Sequence, residues 1–232
     1  MDEQGVSALQ NPWVESAFEL KGFDYLGALK AFREGECTVQ DVSSMLVAKA
    51  ADIKPSYKVI DVCAAPGGKS THLAELLGGT GMVEARDLTE YKIGLIEENI
   101  ARHGLSNMKA VRWDATVFDE ASVEKADVLI CDLPCSGLGV LGRKTDIRYK
   151  MSKEQEEELA SLQRQILSTV HAYVKHGGTL VYSTCTIDKK ENEENVSWFL
   201  EEYPEFSLIE QRQMLPGEVG ADGFFIAKLK RG

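Results

Sequence analysis

No apolar run in the 232 residues approaches the roughly 18–20 that a membrane-spanning helix needs, so a transmembrane class is excluded. The opening "MDEQGVSALQ" is acidic and polar, without the charged and apolar regions of a secretory leader, and a cytoplasmic location is expected. Cysteine pairing is equally sparse. The five cysteines, Cys37, Cys63, Cys131, Cys135 and Cys185, contain no Cys-x-x-Cys, and no histidine stands at zinc-ligand spacing, so neither a disulfide framework nor a metal site is expected. There is no basic tail either. The net charge is −11 and the acidic excess runs through both halves, which argues against non-specific affinity for phosphate backbones. The densest basic stretch is "GRKTDIRYK", where Arg143, Lys144, Arg148 and Lys150 flank Tyr149, a stacking face; it reads either as a solvated loop or as an RNA-binding patch.

What is present is an ordinary globular composition, 44% hydrophobic, with no internal repeat and no long linker, enough for one domain with an appendage. Residues 1–52 read as an irregular portion ending in the apolar helix candidate "VSSMLVAKAA". Strand and helix patterns then alternate. Strands are expected at 58–63, 82–87, 109–113, 127–132 and 179–183, and helices at 70–77, 90–103, 154–175 and 191–202, with two closing strand-like runs, "FSLIEQ" and "FFIAKLK". This order predicts a doubly wound α/β fold, a mostly parallel sheet with an antiparallel edge, whose ligands sit outside the carboxyl ends of the strands.

The stretch "VIDVCAAPGGKSTHLAELL" is therefore a strand, a glycine-rich turn and a helix. Its end, Gly68-Lys69-Ser70, matches a phosphate-binding loop, but the first glycine of that template is replaced by Cys63, whose side chain obstructs the required backbone. The other strand ends carry Asp87, Asp114, Asp132-Leu133-Pro134-Cys135 and Thr184-Cys185. Asp87 follows Gly68 by 19 residues, the spacing of a ribose-binding acid. The turn lacks the Gly-x-Gly-x-x-Gly of nicotinamide enzymes, and a nucleotide hydrolase has no use for two strand-end cysteines. A nucleoside cofactor without phosphates, S-adenosylmethionine, fits this set.

Together "DVCAAPGGKS", "DLPCSGLG" and "YSTCTI" followed by "ENEENV" resemble the motifs of RNA cytosine-5 methyltransferases, nearest to the bacterial small-subunit ribosomal RNA methyltransferase B, or Sun, type. The resemblance implies a Rossmann-like class I methyltransferase with a seven-stranded sheet over residues 53–232, and residues 1–52 as the remnant of an N-terminal or intervening region. It implies that Cys63, Ala64, Ala65, Pro66, Gly67, Gly68 and Lys69 cradle the amino-acid part of S-adenosylmethionine, that Asp87 holds the ribose, and that Asp114 lies by the adenine. Asp132 would border both cofactor and cytosine, stabilising the base by a proton at N3. Cys185 corresponds to the nucleophile and Cys135 to the cysteine of product release. The implied partner is RNA, small-subunit ribosomal RNA first and transfer RNA as the alternative; a non-catalytic RNA-binding or assembly module is the reading from another class. Cys37 and Cys131 are expected to be packing residues, and the four histidines to lie on helix surfaces. Oligomeric state has no signal in the sequence.

Overall fold

The computed structural model describes residues 5–143, 145–147 and 151–232. A small antiparallel hairpin, β1 (Ser7–Gln10) and β2 (Phe18–Lys21), and a short helix, α1 (Lys30–Arg33), precede α2 (Val42–Ala51). The Asp41 carboxylate caps α2 by accepting from the Ser43 amide. Beyond it run β3 (Lys58–Asp61), α3 (Gly68–Leu76), β4 (Met82–Asp87), α4 (Glu90–His103), β5 (Met108–Arg112), β6 (Ala126–Asp132), α5 (Lys153–Val170), β7 (Val174–Thr184), α6 (Glu193–Glu202), β8 (Phe206–Met214) and β9 (Phe224–Arg231). The predicted alternation is the observed one.

Seven strands form one sheet in the order β5-β4-β3-β6-β7-β9-β8. From β5 to β7 neighbours are parallel; β9 runs antiparallel to both β7 and β8. The expected antiparallel edge is thus real, with the last strand inserted inside it. Near-continuous apolar strands follow from a sheet covered on both faces. Val59, Val83, Val128, Ile130, Val181 and Ile226 point to the side of α2, α3 and α4, whereas Ile60, Leu129, Cys131, Leu180, Tyr182 and Phe225 point to that of α5 and α6. Each fully buried aliphatic side chain contributes about 1.5–3 kcal/mol. Helix α2 packs Val47, Ala48 and Ala51 into the first of these cores, so the helix read as the end of the N-terminal portion is seated on the sheet.

Two expectations need correction. The helix predicted to reach Lys175 ends at Val170, passes through a tight turn at His171–Tyr173 and becomes strand at Val174. Tyr173 is buried, its hydroxyl accepts the Asp119 amide at 2.7 Å, and a register shift opposite Ala126 lets Val174 join β6 early. Tertiary burial overrides the helical pattern there. Nor do all the histidines lie on helix surfaces: His171 packs 4.0 Å from the Tyr203 ring with Phe199 and Phe206 nearby, and the His103 side chain is buried with Nδ1 3.0 Å from Glu75.

Strand order reverses between β3 and β6, and the carboxyl ends of these strands open the crevice where a doubly wound sheet binds ligands. Every chemical residue predicted from strand ends converges on that rim.

Candidate active site

Strand β3 ends at Asp61, and its chain turns through Val62–Gly67 into α3. Gly67 adopts φ 109°, a conformation that glycine enters without strain, and starts the helix by accepting the Thr71 amide. The peptide before Pro66 is cis. The loop's amides are committed: Cys63 N to Asp61 Oδ1 at 3.4 Å, Ala64 N to the Arg86 carbonyl at 2.8 Å, Ala65 N to Asp87 Oδ2 at 3.0 Å and Gly67 N to the Ala64 carbonyl at 2.7 Å. Pro66 has no N–H. Amides bonded to the protein cannot line a phosphate nest, which counts, together with the missing glycine, against the hydrolase reading.

Asp87, at the end of β4, is 4% exposed. Besides Ala65 N it accepts from Leu88 N at 2.7 Å and Lys92 Nζ at 2.8 Å. Of the roughly four acceptor positions of a carboxylate, this leaves one, and the half-exposed Lys92 can swing away to yield another. Asp114 follows β5, and the hydroxyl and amide of Thr116 hold its carboxyl below the usual range. Asp61 is fully buried with Ser70 Oγ 2.6 Å from Oδ2; burial, opposed by that hydrogen bond, pushes its carboxyl up to about 7.

At the end of β6, Asp132 Oδ2 lies 2.8 Å from Lys69 Nζ and Oδ1 accepts from Ser183 Oγ at 2.7 Å. Lys69 also sits 5.5 Å from the centre of the Phe224 ring. Burial works against its ammonium, yet the Asp132 carboxylate outweighs it and raises the pKa. Beyond the pair stand the two cysteines: Cys135 Sγ and Cys185 Sγ are 3.2 Å apart, and the Cys185 amide donates to Cys135 Sγ at 3.3 Å. The hydrogen bond to Cys185, followed by burial, drives the Cys135 thiol well above its ordinary range. Cys63, raised by burial, is an inert thiol, and Cys131 is enclosed in the core.

A layer of buried polar side chains lies directly beneath the cysteines. The Glu191 carboxylate accepts from Ser136 N at 3.0 Å, from Ser136 Oγ and from Gln163 Nε2 at 2.7 Å, and Gln163 Nε2 also bonds the Pro134 carbonyl at 2.8 Å. Burial raises the pKa of Glu191 against these donors. Asn192 Oδ1 accepts from Thr184 Oγ1 at 2.6 Å while its Nδ2 donates to the Thr186 carbonyl at 3.1 Å. Asp61, Lys92, Ser183, Glu191 and Asn192 were not singled out individually from the sequence. Asp61 offered a signal, since it ends its strand as Asp87 and Asp132 end theirs; Glu191 and Asn192 lay within the motif "ENEENV".

Arg143 does not stand apart as a bare cation. Its Nη2 is 2.6 Å from Asp41 and its Nε 3.2 Å from Asp222, which clasps the loop after the cysteine to α2 and to the approach of β9. Lys144, Arg148 and Lys150, predicted with it as an RNA patch, lie outside the described residues. Among the described residues no group of acidic, histidine and cysteine side chains could hold a metal ion, and no helix is long and apolar enough to cross a membrane.

A switch-point crevice with a strand-end acid, a glycine turn into a helix and an antiparallel last strand is the fold of class I S-adenosylmethionine-dependent methyltransferases. The chain belongs to the 16S rRNA methyltransferase RsmB/F family, whose model matches residues 48–230. It is 40% identical over 250 aligned residues to the probable ribosomal RNA small subunit methyltransferase B of Bacillus subtilis (strain 168), an alignment covering 100% of this chain and 56% of that protein. It is 32% identical to the ribosomal RNA small subunit methyltransferase F of Cronobacter sakazakii (strain ATCC BAA-894), over 95% of this chain and 51% of that one. The crystal structure of NSun6 from Pyrococcus horikoshii with SFG superposes with a TM-score of 0.83 at 33% identity, covering 93% of this chain and 59% of that one. The chain spans about half the length of the curated relatives it matches.

Proposed function

We propose that the chain methylates C5 of a cytosine in RNA, small-subunit ribosomal RNA first, through a covalent bond between Cys185 and C6 of the base. The observation that carries this reading is the pair of thiols 3.2 Å apart, beside an Asp132–Lys69 ion pair at the switch point. S-adenosylmethionine supplies an electrophilic methyl group when bound. Its fit is supported by Asp87, which retains acceptor capacity for ribose hydroxyls, and by the turn 63–69, where the short side chains of residues 63–68 leave room for the amino-acid part beside Lys69. Asp114 flanks the adenine side.

Cytosine C5 is a weak nucleophile, so a bond must first form at C6. The Cys185 thiolate attacks C6, and the ring π electrons move toward C5 and N3. In this reading the Asp132–Lys69 pair donates a proton where that charge collects. C5 then takes the methyl group as its bond to the sulfonium sulfur breaks, leaving S-adenosylhomocysteine, and C5 carries both a hydrogen and the new methyl. A base removes the C5 proton, the electron pair re-forms the C5–C6 double bond, the Cys185 sulfur leaves as thiolate, and N3 returns its proton to the Asp132–Lys69 pair. Cys135, whose sulfur lies 3.2 Å away, assists this departure.

The test is methyl transfer from labelled S-adenosylmethionine to 16S ribosomal RNA and, in parallel, to transfer RNA, with the modified base mapped. Cys185→Ala abolishes transfer and any protein–RNA adduct while retaining cofactor binding. Cys135→Ala accumulates an adduct that survives denaturing electrophoresis, and the double variant shows none. An adduct that persists without Cys185, or a Cys135 variant that turns over normally, sinks the assignment.

A further inference from the structure

Two adjacent residues, Glu191 and Asn192, touch the loops of both cysteines. Both are fully buried, at 0% exposure. Glu191 grips the Cys135 loop on its far side through the amide and hydroxyl of Ser136. Gln163 holds the near side by the Pro134 carbonyl and is itself bonded to Glu191. Cys135 is thereby fixed from the residue before it and the residue after it. Asn192 treats Cys185 in the same way, binding the Thr184 hydroxyl on one side and the Thr186 carbonyl on the other. The two grips are joined by the Ser136 Oγ to Thr186 Oγ1 contact of 2.7 Å.

Fold stability alone does not require this chemistry. A buried carboxylate is expensive, and Glu191 meets only donors, the pattern of an ionised group. An apolar filler at this place would leave Ser136 N unbonded and Gln163 Nε2 with the Pro134 carbonyl alone, and it would also leave the two loops free to slide. What the pair specifies is a separation: two sulfurs from loops 50 residues apart in sequence are brought to 3.2 Å. The carboxylate also adds to the forces that raise the pKa of the Cys135 thiol.

We propose that Glu191 and Asn192 are positioning residues for the proposed methyl transfer, Glu191 setting Cys135 for release of the base and Asn192 setting Cys185 for attack on it. The inference rests on the cysteine roles proposed above. It assigns separate effects to neighbouring residues.

The full chain is tested as Glu191→Gln, Asn192→Ala and, in case a mismatched amide at 191 prevents folding, Ser136→Ala, which removes one donor to Glu191. Four quantities are read: the unfolding midpoint, turnover on ribosomal RNA, the denaturation-resistant adduct, and thiolate absorbance near 240 nm against pH without RNA. A displacement of about 1 Å is enough to cost ~100-fold in rate. Glu191→Gln and Ser136→Ala are expected to lose turnover on that scale while accumulating adduct, as Cys135→Ala does; Asn192→Ala loses turnover and forms less adduct. In Glu191→Gln a thiol ionises at lower pH than in the wild type. Activity that falls only with the folded fraction, with adduct unchanged, overturns the inference. If the wild type itself methylates no RNA and forms no adduct, the proposed function fails, and the absorbance titration decides the positioning claim separately: identical curves for wild type and Glu191→Gln reject it.

Discussion

Replacing Asp61 by Asn should make the protein progressively more stable than the wild type as pH rises from 4 to 7. Asp61 is 1% exposed, and its folded carboxyl is raised from 3.8 to about 7, mainly by burial. The ion pair of Asp132 and Lys69 acts on it with opposite signs. In the unfolded chain the group loses its proton near pH 4, while in the folded chain it keeps it until near pH 7. Between those values the folded state binds more protons, so wild-type stability falls as pH rises, by ~1.4 kcal/mol per unit. Three units give a total of about 4 kcal/mol, complete above pH 7 and absent below pH 4. Asn keeps the volume and can still accept from Ser70 Oγ, but it has no proton to lose. The assay is urea unfolding followed by tryptophan fluorescence at half-unit pH steps, taken as the difference between variant and wild type so that every other carboxylate cancels. A difference that is flat between pH 4 and 7, or one that favours the wild type at higher pH, would refute the argument.

Asp87→Ala should weaken S-adenosylhomocysteine binding by about 1–3 kcal/mol, the cost of losing a charged hydrogen-bond partner; calorimetry showing unchanged affinity removes the ribose assignment. Gly139→Ala places a methyl 2.0 Å from the Gly223 carbonyl oxygen and 2.8 Å from that of Cys185, so the backbone must shift. It should cost about 1–3 kcal/mol, read by thermal melting, and lower methyl transfer further than the melt accounts for; full activity in the folded variant contradicts this. Arg143→Ala should leave the salt dependence of RNA binding almost unchanged, because its guanidinium is clasped by Asp41 and Asp222. A slope reduced by about 0.7–0.9 would instead show that Arg143 leaves these carboxylates for a phosphate.

The parts of this molecule that could be read in advance are those written locally. Alternation of β-branched runs with amphipathic segments led to the sheet, and acids and cysteines at strand ends led to the rim, because both signals lie within a few residues of one another. The boundary at Val170 could not be read, since it depends on Tyr173 being buried and bonded to Asp119. Glu191 was equally opaque. Its partners are Ser136 and Gln163, which become neighbours only after β6, β7 and α5 have assembled. The cysteines fall between these cases: each could be found at its strand end, while the 3.2 Å between them depended on the buried layer beneath.

The insertion of β9 between β7 and β8 has a consequence for how the protein is made. A ribosome delivers β7, with Thr184 and Cys185 at its end, well before β9 appears. Until then, one side of β7 is an open edge with unsatisfied N–H and C=O groups, the kind of edge that recruits foreign strands. Translation at about 5–20 residues per second leaves it open for seconds, during which β8 has been synthesised but has no partner in the sheet. The edge of the strand that ends at Cys185 is therefore covered only when β9 arrives, and until then it is a site exposed to aggregation.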